Sequence, residues 1–100
     1  MAERCAPRHT SKTFAAGDLT MTVAGGDNIH VYGIWFHTGG TAATFSINDA
    51  AGTLIQQVYL AANTTEEFTT YWIADAGIQV VASVGTNSPK VTVFHNSPGR

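Results

Sequence analysis

From Asp18 onward, apolar residues of this chain alternate with polar ones in short runs, and each run is cut by turn-forming residues. That rhythm constrains the fold more than any other feature. Successive side chains of a strand point to opposite faces, whereas a helix needs apolar positions three and four apart, and no stretch holds that longer period. Leu19, Met21 and Val23 alternate with Thr20 and Thr22 as a half-buried strand. Residues 29–38 are apolar at both parities, with Ile29, Val31 and Trp35 on one side and Tyr32, Ile34 and Phe36 on the other. Ala43, Phe45 and Ile47 alternate with Thr44, Ser46 and Asn48. Leu54, Gln56, Val58 and Leu60 face away from Ile55, Gln57 and Tyr59. Residues 67–73 resume the pattern, Ile78, Val80, Ala82 and Val84 form the clearest core face, and Val91, Val93 and His95 close the series.

The punctuation agrees. Gly25-Gly26-Asp27-Asn28, Gly39-Gly40, Asn48-Asp49-Ala50-Ala51-Gly52 and Asp75-Ala76-Gly77 are turn sequences, with Gly52 placed to take a positive φ at the end of a hairpin loop. Seven strands at intervals of roughly 10–12 residues predict an all-β sandwich or barrel. Residues 1–17 lack periodicity and read as an extended, mobile N-terminal arm with one apolar anchor, Phe14. Residues 18–96 are the β-sandwich domain, and 97–100 a C-terminal tail.

Composition narrows the surface. The chain has 100 residues, of which 12% are charged, about half the usual share, so its polar exterior comes from Thr, Ser, Asn, Gln and Gly. With three leucines and two lysines it is poor in helix formers. No Lys or Arg occurs between Lys12 and Lys90, while Asp18, Asp27, Asp49, Glu66, Glu67 and Asp75 lie there. An acidic body argues against nucleic-acid binding, which requires a cationic stripe to displace counterions from phosphates. Cys5 is a lone thiol, so no intrachain disulfide forms and synthesis in a reducing compartment is expected. No segment reads as a signal peptide or as a membrane span.

The inventory predicts no enzyme. Cys5 sits in the arm, where nothing fixes its geometry, and no serine has a nucleophile-elbow setting. Glu66 and Glu67 are adjacent, so a strand directs them to opposite faces and they make no carboxylate pair. His9, His30, His37 and His95 lack ligand spacing, and the parity of His30 and His37 predicts that they face apart. Neither metal nor cofactor is expected.

What remains is surface. A strand apolar on both faces carries more than one side of an antiparallel sandwich needs. Val31, Trp35, Trp72, Val81 and Phe94 are accordingly candidates for an oligomer or partner interface, where aromatic anchors gather and charge is depleted. Arg4, Arg8, Lys12 and Phe14 are candidates for an arm that orders on a partner.

The stretches Ile29-His-Val-Tyr-Gly-Ile34, Gly39-Gly40 and Thr44-Phe-Ser-Ile-Asn-Asp-Ala-Ala-Gly52, with Ile73-Ala-Asp-Ala-Gly-Ile-Gln-Val80 and Val91-Thr-Val-Phe94, resemble small virion proteins of tailed bacteriophages. The likeness spans roughly residues 28–95 and lies in hydrophobic rhythm and turn positions. It implies a β-sandwich or jelly-roll-like domain of seven or eight strands, serving as a capsid decoration (cement) protein. Such a protein is a homo-oligomer, with a trimer favoured. It binds the major capsid protein on the capsid exterior after synthesis in the bacterial host cytoplasm. A neck or tail component has a similar appearance. The alternative class is a carbohydrate- or receptor-binding sandwich, in which Trp35 or Trp72 stacks on sugar rings.

Overall fold

The longest apolar-on-both-faces segment becomes the middle of a sheet, where strands are covered on one side by the core and flanked by neighbours on both edges. In the computed structural model, which describes residues 8–23, 29–74 and 76–96 but not the side chains of Arg8, Thr70, Trp72 and Asn96, eight strands form. They are β1 (Arg8–Thr13), β2 (Thr20–Val23), β3 (Ile29–His37), β4 (Ala43–Asp49), β5 (Leu54–Leu60), β6 (Thr65–Ala74), β7 (Ile78–Ala82) and β8 (Lys90–Asn96). Two four-stranded antiparallel sheets result, in the orders β1-β8-β3-β6 and β2-β7-β4-β5. Consecutive strands mostly change sheet, and each sheet interleaves early with late strands. This is the connectivity of a jelly roll, two Greek keys wound together.

Alternation explains what fills the space between the sheets. Ile29, Val31, Ile34, Phe36, Val91 and Val93 face inward from one sheet, and Met21, Val23, Ala43, Phe45, Ile47, Ile78, Val80 and Ala82 from the other. Rings bridge the layers, with Phe36 against Phe45 at 4.8 Å between centroids and Phe45 against Phe14 at 6.1 Å.

The expected arm departs from the sequence reading. Residues 8–13 form β1, an edge strand paired along its whole length with β8, from Arg8 opposite His95 to Thr13 opposite Lys90. Phe14 is fully buried, and its N–H donates to the Pro89 carbonyl at 2.7 Å. The predicted anchor is therefore a core residue of the domain, and its neighbours are part of a sheet. Residues 1–7, the tail 97–100, the turn at 25–28 and Asp75 lie outside the described residues.

One end of the sandwich is tied by contacts among four connections. The Asn63 N–H donates to the Gly39 carbonyl, Thr38 and Thr64 exchange bonds through backbone and hydroxyl groups, and the Thr41 hydroxyl donates to Asn87 Oδ1 at 2.6 Å. Two glycines let these loops touch. A Cβ on Gly39 would fall 2.3 Å from the Asn87 carbonyl oxygen, and one on Gly85 would fall 2.3 Å from the Ala15 carbonyl carbon. Backbone stands where a side chain would have to go.

Candidate interaction surfaces

On β3 the register slips between Val31 and Gly33 against both neighbours. Across β8, Val31 pairs with His95 and Gly33 with Phe94, so Tyr32 is an extra residue: a β-bulge. One added residue inverts the parity of everything after it. This corrects the sequence reading of the strand twice. Val31 and Trp35, expected on one side, are separated: Val31 is fully buried and Trp35 stands on the outer face. His30 and His37, expected to face apart, are both half-exposed on that outer face. About seven residues of strand, roughly 20 Å, separate them, and among the described residues no group of His, Cys, Asp or Glu is arranged to hold a metal ion.

The outer face of the β1-β8-β3-β6 sheet consequently carries two short chains of rings. His9, Phe94 and Trp35 run across β1, β8 and β3, with centroids 6.1 Å apart for His9–Phe94 and 5.1 Å for the edge-on Trp35–Phe94 pair. His30, Tyr71 and Tyr32 run across β3 and β6, at 5.5 Å for His30–Tyr71 and 5.4 Å for Tyr32–Tyr71, and the Tyr71 hydroxyl is hydrogen bonded to His30 Nδ1. The exposed fractions are 37% for Trp35, 42% for Tyr32 and 55% for Tyr71. Tilted and edge-on packing of this kind holds each ring in place, so the face is both apolar and ordered. Glu67 opposite Trp35, and Lys90 opposite His37, flank it. Glu66 lies opposite buried Phe36, so the two glutamates stand on opposite faces as the alternation predicted.

A second apolar feature lies where the sandwich is open. β5 and β6 are the outermost strands of their sheets, on the same side. Between them runs a cleft of about 570 Å³, lined by Ile34, Ile47, Ile55, Gln56, Gln57, Val58 and Phe68. Adjacent to it β5 carries a second irregularity: Ile47 pairs with Gln56 and Asn48 with Leu54, leaving Ile55 as the bulged residue. The single face expected for Leu54, Gln56, Val58 and Leu60 is broken there. Leu60 is buried, Val58 packs against the core, and Leu54 is more than half exposed.

The remaining predicted site residues divide between different places. Val81 is half-buried on the outer face of the other sheet, opposite Thr20 and Ser46, and does not join Trp35 and Phe94. Trp72 lies opposite Val31 in register, and its side chain is outside the description. Lys12 is paired within the chain, its ammonium 2.7 Å from Asp18 Oδ2. Arg8 begins β1, and Arg4 lies outside the described residues. Val31 and Phe14, as core residues, are withdrawn as contact residues for a partner. Tyr32, Ile55 and Phe68 were not singled out as interface residues. The adjacency of Tyr71 and Trp72 in the sequence requires one of the two to point outward, and Tyr71 does, at 55% exposed.

The sequence matches no family model and no curated protein. Among solved structures it is similar to chains of infectious bursal disease virus. Against the Gx strain structure the identity is 14% and the TM-score 0.31, covering 96% of this chain and 32% of that one. Against the VP2 subviral particle of the same virus the identity is 16% and the TM-score 0.27, over 91% and 32%. The chain thus spans about a third of the length of the structures it matches.

Proposed function

We propose that this chain is a non-enzymatic virion structural protein of the capsid decoration (cement) type, which binds the major capsid protein on the outside of the shell as a homo-oligomer, with a trimer favoured. The observation that carries the reading is the ordered aromatic face on the β1-β8-β3-β6 sheet. Exposed Trp35, Tyr32 and Tyr71, with half-buried Phe94 against Trp35, form a charge-poor surface of the composition found at the centres of protein interfaces. Two further points support it. The double Greek-key sandwich is a common architecture of viral capsid domains, although lectins and cupins share it. A shell also presents many copies at fixed spacing, so modest individual contacts add up.

The test is co-sedimentation of the purified chain with empty shells assembled from the major capsid protein encoded with it. Wild type should travel with the shells, and Trp35→Ala combined with Tyr71→Ala should lower the bound fraction at least tenfold while the free domain, with a lowered melting temperature from the lost ring contacts, stays folded at the assay temperature. Removing residues 1–7 tests the rest of the arm without touching β1; a deletion reaching residue 13 would instead strip the edge strand from β8. The same rings could stack on sugars. Glycan binding that disappears with Trp35→Ala, together with indifference to shells, would replace the cement reading with the carbohydrate-binding one.

A further inference from the structure

We infer that β5 is a self-association edge: two copies of this chain pair their β5 strands antiparallel about a twofold axis at Gln57, continuing the β2-β7-β4-β5 sheet from one copy into the next. The inference does not rest on the virion reading: the twofold pair it describes is a different contact from the threefold association favoured there, and it uses the opposite sheet from the aromatic face.

An edge strand offers a row of unpaired N–H and C=O groups, and proteins that must stay apart protect it with charge, proline or shortness. The four sheet edges differ in this respect. β1 carries Arg8 and Lys12, β6 carries Glu66 and Glu67, and β2 has four residues. β5 has seven, Leu-Ile-Gln-Gln-Val-Tyr-Leu, with neither charge nor proline. Leu54, Ile55 and Tyr59 on it are 53%, 51% and 69% exposed. Its one protective device, the bulge at Ile55, lies near one end and leaves Gln56 to Leu60 in regular register with β4.

A second copy is the occupant that fits these facts. Adding a second copy to β6 or β1 would bury edge charges of the kind that guard strands against such pairing, which costs free energy. β5 meets its own copy without that cost. Gln57 is the midpoint of Leu54–Leu60, and a dyad there opposes Gln56 to Val58 in the stretch that the bulge leaves regular. The Gln57 amide reaches Ser46 Oγ at 3.3 Å on the outer side of the sheet. Across the dyad the two Gln57 side chains oppose each other, and each amide, turned from Ser46, holds a donor and an acceptor for its mate. One paired edge buries less than the roughly 800 Å² per partner of a standard stable interface, so the pairing is weak and concentration-dependent in dilute solution.

Disulfide trapping and sedimentation equilibrium test it. In a Cys5→Ser background, Gln57→Cys should oxidise to a covalent dimer, because directly opposed residues of an antiparallel pair have Cα separations within disulfide reach. Thr22→Cys, on the far edge of the same sheet, should not. Sedimentation across a concentration series should show a monomer–dimer equilibrium whose dissociation constant rises at least tenfold in Gln57→Lys and is unchanged in Thr22→Lys. Absence of the Gln57 crosslink, or a dissociation constant indifferent to Gln57→Lys, overturns the inference. Shell binding bears on the cement proposal and leaves this one untouched.

Discussion

Truncating Phe14 to alanine separates two views of the first seventeen residues. If they were a loose arm, losing the ring would cost the domain almost nothing. In the structure Phe14 is fully buried, 6.1 Å from the Phe45 ring, and its backbone is tied to Pro89. Removing a buried phenylalanine typically costs about 3–5 kcal/mol, the sum of lost transfer energy and the cavity left behind. The aromatic partner places Phe14 away from the low end of that range. Near a 100-residue domain's melting temperature, 1 kcal/mol corresponds to roughly 4–8 °C, so Phe14→Ala should lower the midpoint by at least about 12 °C. With a urea slope of about 1–3 kcal/mol/M, the unfolding midpoint should fall by about 1 M or more. Tryptophan fluorescence and far-ultraviolet circular dichroism, recorded on the same samples, give the midpoint and check that the transition is two-state. Lys12→Ala is the matched control. Its ion pair with Asp18 is solvent-accessible, with side-chain exposures of 26% for Lys12 and 61% for Asp18, and surface pairs contribute at most about 1 kcal/mol. Equal small shifts for the two variants would refute the inclusion of this segment in the core.

Gly39→Ala and Gly85→Ala should each destabilise by about 1–3 kcal/mol, because the new methyl group meets backbone of a neighbouring connection and overpacking costs that much; thermal denaturation reads the loss. Ala76 holds a φ of 68°, where an L-residue costs about 1–2 kcal/mol over glycine. Ala76→Gly should therefore raise stability by about 0.5–1 kcal/mol in the same assay, after the extra chain entropy of glycine is subtracted.

The strands that alternate cleanly were legible because their period matches their burial. Met21 and Val23, then Ala43, Phe45 and Ile47, and Ile78, Val80 and Ala82 all face the core as read. β1 was not legible, since its core-side positions are polar. Thr10 meets the interior at the sheet's margin and is satisfied there by a hydrogen bond to His95 Nε2, so no apolar rhythm announced the strand. The two bulges were invisible for a related reason. A period of two carries no mark of the residue at which it skips, and in β3 both parities are apolar, so no polar residue revealed the shift. The aromatic face was half visible: the excess of apolar residues was countable, but which of them point outward depended on that skip. The cleft beside β5 belongs to the pairing of strands distant in sequence, and local pattern holds no information about it.

The first and last strands lie side by side, with Arg8 across from His95. The polypeptide therefore enters and leaves the domain about one strand spacing, roughly 5 Å, apart. A unit with that geometry behaves as a cassette. It can be spliced into a surface turn of a host protein, or carry cargo at either terminus, without prying the host's flanking segments apart. The ends of the first and last strands meet at one corner, beside the ring of His9, and the far edge of the sheet, β6, stays clear of them.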